Sequence, residues 1–295
     1  MTRLILITLI VWLFPIKIFS QSFETVFEDS EIPFLSSISF TDSNSGWAVG
    51  WGGTILKYNG DKWVKYKSPT RNSLNKVYFS NSGIGWIVGD YGTLLNFNNG
   101  QWEVFDLETN ESLNDIFFID NHGYLVGTNG FMSHFHNGSW KRFDAKTKQH
   151  LYSIQVLNDK TGFLLGWNQT LIRINGDSLE PITQDKILGM DNPFYYFYSS
   201  EFTKEEDWYF FGMNVVQYKK KHFEVLENKI PPIRNTKKVG NDIWLNCSSS
   251  IYVMRNNQIT KIEDNYYQDF KSICFSDNET GWIVAEGGLI IKFKK

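Results

Sequence analysis

One four-strand unit, written seven times with decay, constrains this chain of 295 residues more than any other feature. Its clearest copy is residues 45–63, SGWAVGWGGTILKYNGDKW: an apolar run, a Gly turn, a second run, an Asn-Gly turn and a tryptophan opening another run. From Leu35 the full unit reads LSSISF, GWAVG, WGG, TILKY, NGD and KWVKY. From Leu74 the same order returns as LNKVYF, GWIVG, DYG, TLLNF, NNG and QWEVF, and from Leu113 as LNDIFF, GYLVG, TNG, FMSHF, HNG and SWKRF. Short apolar runs bounded by Gly and Asn are strands bounded by turns. A fourth copy starts at Leu151 and a fifth near 193. A sixth starts near 233 with most glycines lost, and a seventh, clean again, starts near 270.

The residues ending each third strand are Tyr58, Phe97, Phe135, Ile174, Tyr218, Met254 and Phe293, separated by 39, 38, 39, 44, 36 and 39 positions. Four strands repeating at about 40 residues describe a propeller, in which radial repetition leaves only short, protected sheet edges. A parallel β-helix has a much shorter repeat, and a two-sheet sandwich has no use for seven copies of one unit. The expected fold is therefore all-β: over residues 21–295, a seven-bladed β-propeller of four-stranded antiparallel blades. The seventh copy stops at Lys295 after three strands. Residues 22–28, SFETVFE, put Phe23 and Val26 in the phase of Trp63 and Tyr66. The N-terminal strand is thus expected to complete blade seven and cover an edge that would otherwise invite aggregation.

The repeated residues read as scaffold. Gly46, Gly85, Gly123, Gly162 and Gly281 are expected to end tight turns at positive φ. Gly50, Gly89, Gly127, Gly166 and Gly212 suit close approach to a neighbour or a bulge. Asn59-Gly60, Asn99-Gly100, Asn137-Gly138 and Asn175-Gly176 fit two-residue hairpin turns with positive φ at both centres. Trp63, Trp102 and Trp140 begin the outer strand, where a large ring seals one blade against the next.

The NG-x-W endings resemble degraded Asp-box (BNR) repeats, and the whole unit resembles the photosystem II assembly-factor propellers, whose members chaperone an early photosystem II subunit. The resemblance covers residues 22–295 and rests on blade-forming residues. It implies architecture, and the photosystem factors' own activity is not carried over. The Asp-box serine and aspartate are absent at most turns, and the photosystem factors' basic partner-binding patch maps onto no set of residues in this chain.

Residues 1–20 read as a signal peptide: Arg3 precedes an apolar run over 4–15, and Ser20 stands before Gln21 as a small residue at a cut. That run is short of the roughly 20 residues of a spanning helix, so no membrane span is expected after cleavage. An uncleaved anchor is the alternative. The expected location is secreted or periplasmic. Lys and Arg number 29 against 32 Asp and Glu, a balance that offers nucleic acid no field. Cys247 and Cys274 are too few to build a scaffold; they are expected free, with pairing in an oxidising compartment as the alternative.

Connections in a propeller alternate between faces, so the turn from second to third strand shares a face with the link into the next blade. That face would present Trp51, Asp90, Tyr91, Asn129, Trp167, Asn168 and Glu286 in turns, with Arg71 and Arg234 in links. Aromatics, amides and carboxylates around a funnel suit an extended peptide or a glycan. The expectation is a monomeric, non-enzymatic protein- or peptide-binding platform, with carbohydrate binding or sialidase-like cleavage as the alternative. Sialidase chemistry needs an arginine cluster with a nucleophile and an acid, and only Arg71 and Arg234 fall near this face. No catalytic residue is assigned. No cofactor is expected, since the glycines follow the repeat period. His122, His134 and His136 share one rim of one blade, but without a fourth ligand no metal is expected.

Overall fold

The computed structural model describes residues 22–80, 83–158, 161–176, 178–183, 197–204, 207–227, 230–263 and 266–295. The expected signal peptide and the expected start of the fifth unit near 193 lie outside them. Twenty-eight strands form seven four-stranded antiparallel sheets. Six of these run in chain order from an inner strand beside the central axis to an outer strand at the rim. In blade one these are Leu35–Asp42, Ser45–Gly50, Ile55–Tyr58 and Trp63–Lys65. The seventh joins Phe270–Phe275, Thr280–Ala285 and Ile290–Lys294 to the strand Phe23–Phe27, with Phe23 opposite Phe293 as Trp63 is opposite Tyr58. The ring is closed by its N-terminal strand.

Second strands are continuous apolar runs because both their faces are covered. Buried side chains gather into seven clusters, each shared by two neighbouring blades. The outer-strand tryptophan is the keystone of three of them. Trp63 meets Trp282 of blade seven at 5.8 Å between centroids, Trp102 meets Trp47 at 5.4 Å and Trp140 meets Trp86 at 5.7 Å, all edge to face. Each such pair is worth about 0.5–1.5 kcal/mol beyond the area it buries.

The glycine that opens the second strand has a different cause from the expected one. Gly46 and Gly85 sit in extended strand, not at positive φ, and the ring of the inner strand's Phe40 or Phe79 lies over them. A Cβ would stand 2.5 Å from that ring at either position. Glycine is there to seat a phenylalanine. The hairpins also divide: Asn99-Gly100 and Asn137-Gly138 have positive φ at both centres. At Asn59-Gly60 and Asn175-Gly176 only the glycine does. The first of these is a wider turn, with Asn59 Oδ1 accepting from the N–H of Asp61 and Lys62. Cys247 ends a strand, and both cysteines are free and buried in different seams. Burial pushes both thiols up to about 12.

Inner strands carry the remaining structural chemistry. Their edge N–H groups face the axis, where no further strand can pair them, and buried donors must be satisfied. The neighbouring blade supplies the acceptor. Val77 N–H donates to Ser37 Oγ (3.3 Å), Ile154 to Asp115 Oδ2 (3.0 Å), Lys238 to Glu201 Oε1 (3.2 Å) and Ile273 to Asn235 Oδ1 (3.0 Å). Asn75 and Asn114 return the favour by donating Nδ2 to the carbonyls of Leu113 and Leu151 in the next blade. Polar side chains on the axis are thus staples between blades.

Candidate functional site at the mouth of the central channel

The second-to-third turns and the inter-blade links share one face and are bonded to each other. The first N–H of the turn donates to the carbonyl just before the inner strand at Trp51–Phe34, Asp90–Ser73, Thr128–Ser112, Trp167–His150 and Glu286–Asp269. Gly92 and Gly130 lie at positive φ with the Thr109 and Thr147 carbonyls where a Cβ would be, at 1.9 and 2.0 Å. This clamp holds the face rigid and turns the residues between its bonds outward. Trp51 and Trp167 are each 50% exposed and Tyr91 is 72% exposed.

The axis of the ring is a polar channel of about 430 Å³, lined by inner strands of all seven blades. It contains the Lys76–Asp115 ion pair at 3.4 Å and the half-buried Glu201, whose carboxyl is held above its ordinary range by loss of water. On the turn face the channel widens into a funnel of about 670 Å³, where Phe34, Tyr152, Tyr198 and Met213 stand beside Arg234, Lys271 and Glu286. Tyr152 and Tyr198 lie 6.0 Å apart. The charges form a chain: Lys271 Nζ is 2.9 Å from Glu286 and 2.8 Å from Asp269, and Arg234 is 3.7 Å from Asp269. Burial works to lower the Lys271 ammonium, but its bonds to Asp269 and Glu286 raise it overall. An aromatic and cationic wall with one carboxylate is thus fixed on the side of blades four to seven.

Of the residues expected at this face, Arg234 and Glu286 meet in the funnel. Trp51 lines a separate groove of about 280 Å³ with Ile32, Lys65, Tyr66 and Thr70. Asp90 accepts from Asn75 Nδ2 at 3.1 Å, tying its turn to the inner strand, and Asn129 donates Nδ2 to Glu111 at 3.0 Å, tying its turn to the link. Tyr91, Trp167 and Asn168 project from their turns, and Arg71 is exposed in the link between blades one and two. Asp90 and Glu286, equivalent in two blades, have different partners and form no pair.

Tyr152, Tyr198 and Lys271 were not among the expected residues. With Ser36, Asn75, Asn114 and Arg234 they occupy one repeat position, the second residue of the inner strand's apolar register. Small or amide in blades one to three, aromatic in four and five and cationic in six and seven, that position changes character around the ring. Its variation within an otherwise repeated unit was the available signal.

On the opposite rim His122 Nδ1 and His134 Nε2 are 3.1 Å apart, with their ring planes 10° from parallel, and His136 stacks on His122 at 4.4 Å. Imidazoles that face one another across a shared proton do not converge on an ion. No group able to hold a metal occurs among the described residues.

This geometry can be set beside known proteins. No family model matches the chain, and no curated protein matches it. Solved structures do match. YCF48 bound to a D1 peptide is similar over 94% of this chain and 97% of its own, with a TM-score of 0.74 and 15% identity. The YCF48 propellers share this fold. YCF48 from Cyanidioschyzon merolae matches over 92% of this chain and 98% of its own, at a TM-score of 0.70 and 14% identity. A catalytically inactive virginiamycin B lyase from Staphylococcus aureus with quinupristin matches over 93% of this chain and 99% of its own, at 0.79 and 15%. At these identities the likeness is one of architecture, and the residues of the channel mouth have to be read on their own.

Proposed function

We propose that this chain is an exported, non-enzymatic propeller that binds an extended peptide segment of a protein partner across the channel mouth. The observation that carries this reading is the funnel itself: about 670 Å³, walled by Phe34, Tyr152, Tyr198 and Met213, and edged by fixed charges of both signs. Aromatic walls with a few placed polar groups are the usual make-up of a site that orients a ligand. The exposed rings of Trp51, Tyr91 and Trp167 extend the contact outward, and Trp is among the residues that dominate binding energy where it becomes buried. That a YCF48 propeller of the same architecture is found with a peptide supports the choice of ligand class. Export rests on the N-terminal apolar run, and a role in assembling an envelope complex would follow from a partner in that compartment.

A random peptide library panned against the mature chain tests the reading. Selected peptides should lose at least tenfold in affinity with Tyr198→Ala or Arg234→Ala at unchanged melting temperature. Selection of no peptide, together with a glycan-array hit lost in Trp51→Ala or Trp167→Ala, would replace it with carbohydrate recognition.

A further inference from the structure

In three seams an outer-strand tryptophan completes a cluster of four aromatic rings. Phe40, Tyr58 and Trp63 close over Trp282; Phe79, Phe97 and Trp102 over Trp47; Phe118, Phe135 and Trp140 over Trp86. Blade four has Val156, Ile174 and Leu179 in those three places, over Tyr124 of blade three. Aliphatic side chains in place of three rings leave volume unfilled. A cavity of about 170 Å³ results, walled by Tyr124, Met132 and His134 of blade three and Ile174 and Leu179 of blade four, with Phe143 at its rim 42% exposed.

The size and chemistry of this space limit what can enter. A cavity of about 150 Å³ with an apolar lining accepts a benzene ring. Tyr124 and His134 already stack on one another, with centroids 4.8 Å apart and planes 21° from parallel. They offer an aromatic wall of the kind on which another ring packs favourably. Among the described residues, the only ionisable groups in the lining besides Tyr124 are His122 and His134. Burial, then the neighbouring His122 and His136, keep His134 below the ordinary histidine range, so its ring is neutral at pH 7. A charged ligand would lose water here without meeting a counter-charge. A ligand with one donor or acceptor would find imidazole edges in the wall.

We infer that the seam between blades three and four is a binding site for a small neutral aromatic molecule, of phenol or indole size with one hydrogen-bonding group, lodged where an outer-strand tryptophan stands in three other seams. The site is on the rim that carries the histidines, away from the channel mouth, and does not depend on the peptide reading.

Ligand-observed NMR titration of the mature chain with indole and with phenol tests it. Saturable binding is expected with a dissociation constant on the order of 0.1–1 mM, the range open to ligands of under ten heavy atoms. Benzoate and benzylammonium should bind at least tenfold more weakly. Leu179→Trp, which copies the sealed seams, should weaken indole at least tenfold with an unchanged or higher melting temperature. If that variant is misfolded by circular dichroism, Ile174→Phe, which copies Phe135, should give the same loss. No saturation by about 5 mM ligand, or affinity unaffected by filling the seam, would overturn the assignment. So would binding of indole only as a tryptophan side chain within peptides, with none of the free molecule.

Discussion

Between blades one and two, Phe79, Phe97 and Trp102 stand over Trp47, with centroid distances to it of 6.1, 5.1 and 5.4 Å. Between blades three and four, the same backbone positions hold Val156, Ile174 and Leu179 over Tyr124, and a cavity opens. Strand pairing is alike in the two blades, with Phe97 opposite Trp102 and Ile174 opposite Leu179. Backbone hydrogen bonding therefore makes a blade, while side-chain volume decides whether two blades seal. The seam between blades five and six also lacks rings in these places, with Met254 and Ile259 over Tyr209, so a propeller tolerates aliphatic seams while the closed ring holds the sheets in place.

The largest expected effect concerns the ring as a whole. Removing residues 22–28 strips the outer strand from blade seven and takes Phe23 from its stack with Phe293. The product should be aggregated or unfolded by gel filtration and circular dichroism. A monomer with an unchanged melting temperature would show that sealed seams alone suffice. Next come single seams. Trp102→Ala should cost about 3–5 kcal/mol, as large aromatic truncations in a core do. Leu179→Ala beside the existing cavity should cost no more than about 2 kcal/mol, the low end for leucine. Equal losses in urea unfolding would mean that the two seams do not differ in the way their packing indicates.

The smallest effect is one of pH. Burial and the neighbouring imidazoles hold His134 below its unfolded value, so the folded chain favours the neutral ring. Between about pH 6.5, the unfolded value, and the lower folded one, the unfolded chain binds more protons and stability falls as pH falls. The urea midpoint should drop from pH 7.5 to pH 5.5 by more in the native chain than in His134→Phe. Parallel pH profiles would place the sensitivity at other groups.

The architecture was legible because it rests on what repeats. Trp63, Trp102 and Trp140 recur at one position, and a repeated large ring in a repeated unit has to meet a repeated neighbour. The closing strand was legible for the same reason, since Phe23 kept the phase of Trp63. Gly46 and Gly85 were legible as structural but not in their cause. Sequence shows a missing side chain, whereas the Phe40 or Phe79 ring that needs the space is several residues away along the chain and becomes adjacent only through pairing. The site was harder. Trp51 and Trp167 stood out on their turns, yet Tyr152, Tyr198 and Lys271 lie inside inner strands and looked like ordinary strand residues. They converge only when seven inner strands are arranged about one axis, a relation no single strand contains.

The strand Phe23–Phe27 also sets an order of events. It precedes the other described strands in the chain, yet its partner Ile290–Lys294 follows all of them. Until Ile290–Lys294 has been made, the early strand has no place in a sheet and the ring has no last seam. Pairing the two ends is the most non-local contact in the chain, and such contacts form slowly. The interval before closure is one in which six blades can stand complete while blade seven still exposes the edge of Ile290–Lys294.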